Sequence, residues 1–167
     1  MNARSIILIA NDIRSTHNVG SLLRTAEGLG IEHVYFTGYT PYPAEEHDAR
    51  LPHISRKLTE QIHKTALDAE TLVPWSHEED IYALLTRLKR GAYEVIALEQ
   101  ATDSIALPNY NPPQKVALLL GREVEGIEPA LLTLCNETIE IPMFGKKESF
   151  NVVQAAAMAL YHCRFSG

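Results

Sequence analysis

The sequence predicts one α/β domain spanning residues 1–167, with a mainly parallel sheet and helices on both faces. Three observations lead to it. Hydrophobic residues make up 46% of the 167 positions and charged residues 22%, enough for a real core and too apolar for a disordered chain. Short β-rich runs alternate along the chain with stretches of helical period, the pattern of a sheet built through crossovers. No long linker, repeat or low-complexity tract divides the alternation.

The elements follow in order. Ser5–Ala10 reads as a strand, and Val19–Leu29 as a helix with Leu22, Ala26 and Leu29 on one face. His33–Thr37 is a second strand, and Gly38–Pro52, with prolines at 41, 43 and 52, is a loop. Arg56–Ala69 carries a weak helical pattern and Thr71–Trp75 a short strand. Glu78–Lys89 is a clearer helix, with Ile81, Leu84, Leu85 and Leu88 at helical spacing. Tyr93–Leu98, Lys115–Leu120 and Thr138–Ile141 are buried strands, and Phe150–Cys163 is a closing helix. In such sheets ligands bind beyond the carboxyl ends of the strands, so the loops there are the place to look for chemistry.

Charge and cysteine content narrow the classes. A net charge of −6 argues against generic adhesion to nucleic acid or anionic lipid. Yet Arg50, Arg56, Lys57 and Lys64 against Glu60 give the stretch 50–64 a local +3, which leaves −9 for the rest. That stretch is either a basic surface for a phosphate backbone or a solvated helix face. Ser5–Ala10 is too short to cross a membrane, and no small-residue cleavage site follows it. Cys135 and Cys163 cannot make a disulfide framework or a four-ligand zinc site, so a reducing cytoplasm is expected.

Four loops carry signal. In Asn18-Val-Gly-Ser-Leu-Leu-Arg24-Thr-Ala26, Asn18 is a candidate N-cap, and Gly20, Arg24 and Gly28 share one stripe that leaves the guanidinium open. Taken alone, an ordinary surface arginine meets that pattern. Leu98-Glu99-Gln100 follows a strand, and Glu99 can accept from a ribose or stand as a common strand-end carboxylate. In Leu120-Gly121-Arg122-Glu123-Val-Glu-Gly126 a hydrophobic strand stops at a glycine that permits a sharp turn or close approach of a ligand. It is neither the dinucleotide fingerprint nor a P-loop, and a plain tight turn is the alternative. Ile141-Pro142-Met143 leads to Ser149-Phe150-Asn151, where Ser149 is a candidate N-cap of the last helix, beside N–H groups that favour polar or anionic ligands.

The other candidates are weak. The seven histidines show no H-x-x-x-H spacing, and no G-x-S-x-G elbow occurs. Cys135 and Cys163 read as apolar core residues.

Taken together, the loops carry three signatures in order. These are N-x-G-x-x-x-R-x-A (Asn18, Gly20, Arg24, Ala26), L-G-x-E-x-x-G (Leu120, Gly121, Glu123, Gly126), and I-P-M with S-x-N-V and small residues (Ile141 to Ala157). On these the chain resembles the SpoU/TrmH-type RNA 2′-O-ribose methyltransferases of the SPOUT superfamily, over about residues 6–162. The resemblance implies a C-terminal trefoil knot, a rare exception to the rule against knots. It also implies bound S-adenosylmethionine, no metal, and a homodimer whose active site is completed across the interface. By the same resemblance Gly121, Ile141, Met143 and Phe150 contact the cofactor, with Leu98 and Glu99 walling the site. Arg24, Asn18, Glu123, Ser149 and Asn151 match the catalytic and RNA-positioning residues.

Departures from the family pattern are Arg122 for the frequent Asn, Phe150 for Leu, and Val153-Gln154 before the alanines. The matched motifs give no counterpart to the N-terminal RNA-binding domain of some relatives, so recognition is expected to fall to the 50–64 stretch, Lys146 and Lys147, or to an accessory protein. The implied activity is ribose methylation of tRNA or rRNA. The alternative is a non-catalytic RNA-binding or ribosome-assembly protein that keeps the fold, and base methylation would need other motifs. A free guanidinium stays protonated far above neutral pH, so Arg24 is expected to pin a phosphate and polarise the hydroxyl while phosphate or water takes the proton.

Overall fold

The computed structural model describes residues 3–166. Seven strands form one sheet: β1 (Ser5–Asn11), β2 (His33–Thr37), β3 (Trp75–Glu78), β4 (Glu94–Leu98), β5 (Ile105–Ala106), β6 (Lys115–Leu120) and β7 (Glu137–Glu140). Their order across the sheet is β3-β2-β1-β6-β4-β7-β5, and every neighbouring pair is parallel. The helices are α1 (Thr16–Gly28), α2 (Pro52–Ala66), α3 (Ala69–Leu72), α4 (Ile81–Arg90), α5 (Pro129–Leu132) and α6 (Val152–Phe165).

Alternation along the strands explains the layers, because successive side chains point to opposite faces. Ile6, Leu8 and Ala10 of β1 join a core with Leu22 and Ala26 of α1, Ile62 of α2, and Ala156 and Leu160 of α6. Ile7 and Ile9 face the other way, onto Leu84, Leu85 and Leu88 of α4 and Leu131 of α5. Helices therefore cover both faces, as expected of a parallel sheet.

Several boundaries differ from the sequence reading. The predicted strand Thr71–Trp75 is instead the turn of α3, and the strand runs Trp75–Glu78, where Val34, Tyr35, Phe36 and Thr37 of β2 supply its register. Helix α4 starts at Ile81 and not Glu78, because the Asp80 carboxylate caps it, accepting from the Tyr82 and Ala83 N–H groups at 2.9 and 3.0 Å. Helix α2 begins at Pro52, since proline at the first position loses no hydrogen bond.

Both predicted site caps move. Ser15, not Asn18, caps α1: its hydroxyl accepts the Asn18 N–H at 3.2 Å, and the Asn18 side chain is left for other work. Asn151, not Ser149, caps α6, its amide oxygen accepting the Val153 N–H at 2.9 Å.

Gly20 also has another role than leaving Arg24 open. It is buried against α2, and a Cβ there would run into the Ile62 carbonyl and Thr65 Oγ1. Thr65 donates to the His17 carbonyl at 2.8 Å, fastening the two helices at that contact.

Candidate functional site

The carboxyl ends of β4, β6 and β7 and the entry to α6 enclose a cavity of about 260 Å³. All six residues expected to wall or contact a cofactor line it: Leu98, Glu99, Gly121, Ile141, Met143 and Phe150. Glu123 and Ser149 line it too. Leu98, Ile141, Met143 and Phe150 give it apolar walls, while carboxylates of Glu99, Glu123, Glu140 and Glu148 stand around it.

Its floor is held by backbone contacts that only glycine allows. Arg122 and Gly126 exchange two backbone hydrogen bonds, folding the loop after β6 back on itself. A Cβ on Gly121 would lie 2.6 Å from the Gly126 carbonyl carbon and the Ile127 nitrogen. Glu99 completes the clasp: Oε2 accepts the Ile127 N–H at 2.9 Å and Oε1 the Gln100 N–H at 2.9 Å. The carboxylate that the sequence left open as a ribose acceptor or a common strand-end group thus ties two loops together while it walls the cavity.

Beside the cavity, a polar relay joins three distant parts of the chain. The Glu123 carboxylate accepts the Arg14 N–H at 3.2 Å, the Ser15 N–H at 3.3 Å and the Asn18 amide Nδ2 at 3.3 Å. Asn151 Nδ2 in turn donates to Asn18 Oδ1 at 3.4 Å. Burial pushes the Glu123 carboxyl upward, but the backbone N–H groups around it and the Asn18 amide outweigh that and leave it below its ordinary value. Asn18, Glu123 and Asn151 are therefore one unit, with Ser149 exposed close by in sequence.

Arg24 is the predicted residue that the fold does not bring in. It lies exposed on α1, does not line the cavity, and its side chain makes no hydrogen bond or ion pair with any described residue. Arg122, by contrast, is held by Glu128 at 2.7 Å and Asp12 at 3.4 Å, which ties the loop after β6 to the end of β1.

The basic stretch is smaller than its composition suggests. Arg50 is held by Asp48 at 2.5 Å and by the carbonyls of Tyr42 and Pro43 at 2.9 Å, so its charge serves the 38–51 loop. Arg56, Lys57 and Lys64 remain exposed, as do Lys146 and Lys147.

Sequence reasoning missed Gln100, which lines the cavity and whose Nε2 donates to the Glu148 carbonyl at 2.9 Å, pinning the 144–150 loop. Its place after a strand was the available signal. It also missed that His63, Asp68 and Glu70 bring ligand-type atoms within 4.8 Å at the α2–α3 corner, with His63 Nδ1 2.5 Å from Glu70 Oε1. The cysteines behave as read: burial raises both thiols to about 11, unfit for a nucleophile near neutral pH.

Comparison with known proteins adds four findings. Residues 5–161 match the SpoU rRNA Methylase family. A tRNA (guanosine(18)-2′-O)-methyltransferase of Aquifex aeolicus is 24% identical over 96% of this chain and 69% of its own length. A 23S rRNA (guanosine-2′-O-)-methyltransferase of Acinetobacter baylyi is 30% identical over 98% of this chain, which spans 61% of that protein. Among solved structures, an AdoMet-bound rRNA methyltransferase from Sinorhizobium meliloti superposes with a TM-score of 0.80, at 19% identity, over 98% of this chain and 57% of that one. Among the described residues, no helix is long and apolar enough to cross a membrane.

Proposed function

The chain belongs to the SpoU rRNA Methylase family, and from that premise we propose that it methylates ribose 2′-hydroxyls of tRNA or rRNA with S-adenosylmethionine. The observation that carries the reading is the convergence of Leu98–Gln100, Gly121–Gly126 and Glu140–Met143 on one cavity that adjoins the Asn18–Glu123–Asn151 relay. The residues fit such a cofactor: apolar side chains suit an adenine ring and a thioether arm, and the surrounding carboxylates suit a sulfonium cation. Bound S-adenosylmethionine supplies a methyl group on a good, neutral leaving group.

The chain's own residues then have three tasks. Leu98, Ile141, Met143 and Phe150 exclude water and fix the direction from which the hydroxyl must approach, since in-line attack makes alignment a large part of the catalysis. Asn18, Glu123 and Asn151 hold one another and so set the entry of α1 and α6 at the mouth. Ser149, exposed at the cavity rim, is left to hydrogen-bond the ribose. Arg24, with a guanidinium that stays charged, clamps the phosphate next to the reacting ribose and polarises the hydroxyl, and the proton leaves to phosphate or water.

Because Arg24 does not line its own chain's cavity, the proposal includes a homodimer in which a second copy supplies it. It also includes a C-terminal trefoil knot. β6 lies between β1 and β4, β7 lies beyond β4, and α6 then returns to pack on α1, β1, β4 and β6, an arrangement with which such a knot is compatible. A single domain over 1–167 and a cytoplasmic location, compatible with two free thiols, complete the reading.

The test is transfer of labelled methyl from S-adenosylmethionine to total RNA from cells lacking the protein, with wild type beside Arg24→Ala. Ribose methylation blocks cleavage at the next phosphodiester, so label is expected in nuclease-resistant dinucleotides for wild type and not for the variant. Wild-type protein that neither labels RNA nor binds the cofactor would overturn the enzyme reading in favour of an RNA-binding scaffold.

A further inference from the structure

A second cleft, open and of about 640 Å³, lies in front of the carboxyl ends of β1, β2 and β3, lined by Arg14, His17, Tyr39, Tyr42, Arg50 and His77 among others. It shares a wall with the cofactor cavity: Arg14 and Ser15 line the cleft, and their N–H groups are the ones that Glu123 of the cavity accepts. We propose that this cleft is a stacking subsite for an unpaired nucleobase of the RNA chain adjoining the methylated nucleotide, with Tyr39 as the platform and Arg14 on the backbone phosphate.

The cleft's wall is a column of planar groups. The Arg50 guanidinium lies 3.6 Å from the Tyr42 ring centre, and the His77 ring is stacked on Tyr42 at 4.2 Å and 15°. Two groups so close cannot share one face of the ring, so Tyr42 is sandwiched between them and is not itself free to stack. Arg50, already paired with Asp48, carries no charge to spare for a ligand. The column is a rigid flat wall.

Tyr39 is different. The residue is 47% exposed, yet its backbone is fixed. The Tyr39 N–H donates to Asp12 Oδ1 at 3.1 Å, and Gly38, at a φ of 62°, packs its α-carbon against the same carboxylate. One residue further, Thr40 Oγ1 accepts the Ile13 N–H at 3.0 Å and donates to the Ala10 carbonyl at 2.9 Å. The loops after β1 and β2 are thus stitched together beneath an aromatic ring that faces solvent. A preorganised ring loses little entropy when a flat ligand lands on it.

Arg14 sits over that ring at 5.6 Å from its centre, looser than the 3.6 Å of the Arg50–Tyr42 pair. It is exposed, and among the described residues its side chain forms no ion pair. An exposed tyrosine with an exposed guanidinium beside it, here held to the tyrosine side chain itself, is a combination that binds single-stranded nucleic acid, the base on the ring and the phosphate on the cation. It also gives an acidic chain a local means of holding RNA that needs no basic surface.

The inference rests on the RNA-methylating reading for its ligand, and its test separates the two. Binding of a short fluorescein-labelled oligoadenylate would be measured by anisotropy across a salt series for wild type, Tyr39→Ala, Tyr39→Phe and Arg14→Ala. Cofactor affinity would be followed in parallel by calorimetry. Tyr39→Ala is expected to weaken oligoadenylate binding on the order of tenfold, Tyr39→Phe to bind as wild type, and all four to bind the cofactor equally. Arg14→Ala is expected to reduce the slope of log affinity against log salt by about one phosphate contact. Oligoadenylate that wild type does not bind, or that Tyr39→Ala binds equally well, would overturn the subsite whatever the methyl-transfer result. Selective weakening in a protein that neither transfers methyl to RNA nor binds the cofactor would keep the subsite and remove the enzyme reading.

Discussion

Glu99 at the end of β4 occupies the space that a side chain on Gly126 would need, and accepts the N–H of the residue that follows, Ile127, at 2.9 Å. Gly126 is there with a φ of 73°, where an L side chain is strained by about 1–2 kcal/mol. Two loops of the cavity are thus fitted to each other through one carboxylate and one missing methyl. Gly126→Ala should therefore displace Glu99 and cost that strain together. The expected result is a melting temperature lowered by several degrees and a cofactor affinity reduced at least tenfold, read by calorimetry. A variant that melts lower but binds the cofactor as wild type would show that the clasp does not shape the cavity.

Glu123 predicts a pH dependence. Its folded carboxyl lies below the ordinary glutamate value because N–H groups of Arg14 and Ser15 and the Asn18 amide surround it. A depressed carboxylate contributes stability that is fully present above its unfolded value, about 4.3, and lost as pH falls through the folded one. Glu123→Gln should therefore melt below wild type at neutral pH, with the gap narrowing below about pH 4. A gap that stays constant across that window would mean the carboxylate charge contributes nothing to the relay.

Arg24 and Asn151 predict a complementation. If each active site takes Arg24 from one chain and the relay from the other, Arg24→Ala and Asn151→Ala proteins are each inactive alone. Co-expressed, half the dimers are mixed and each mixed dimer holds one complete site, so activity should return to about a quarter of wild type. Cofactor binding by Arg24→Ala should be unchanged, since the residue is outside the cavity. No recovery of methyl transfer in the mixture would place both residues in one chain's site.

Much of this was legible in residue types. Core strands such as His33–Thr37 and Lys115–Leu120 run with the boundaries read from their apolar character, because burial on both faces demands it. The cavity residues were legible through the family motifs they belong to, most of them just after a strand and Ser149 and Phe150 just before α6. What sequence could not show depends on atoms meeting from far apart. Ser15 outcompetes Asn18 as a cap, and Asn18, released, bonds Glu123 and Asn151 more than 100 residues away. Thr71–Trp75 looked like a strand because β-branched and aromatic residues suit one, but Trp75 Nε1 donates to the Glu70 carbonyl and holds the preceding turn closed. The Tyr42–His77 stack joins a loop to a strand 35 positions later, and no local pattern announces it.

The two glycines that flank Arg24 make the last prediction, since the same spacing hides two different roles. At Gly20 a Cβ would meet the Ile62 carbonyl and Thr65 Oγ1 of α2, so the absence of a side chain sets how closely α1 and α2 approach. At Gly28 nothing lies within 4 Å of an added Cβ, and its φ is not positive. Gly20→Ala forces the helices apart and should cost about 1–3 kcal/mol, as overpacking does. Gly28→Ala removes backbone freedom from the unfolded chain without strain in the folded one and should stabilise by about 0.4–1 kcal/mol. Denaturant unfolding of the two variants checks both signs at once. Because α1 carries Asn18 as well as Arg24, Gly20→Ala should also lower methyl transfer, whereas Gly28→Ala should leave it unchanged. Equal tolerance of alanine at both positions would restore the view that the glycines serve only to expose the arginine between them.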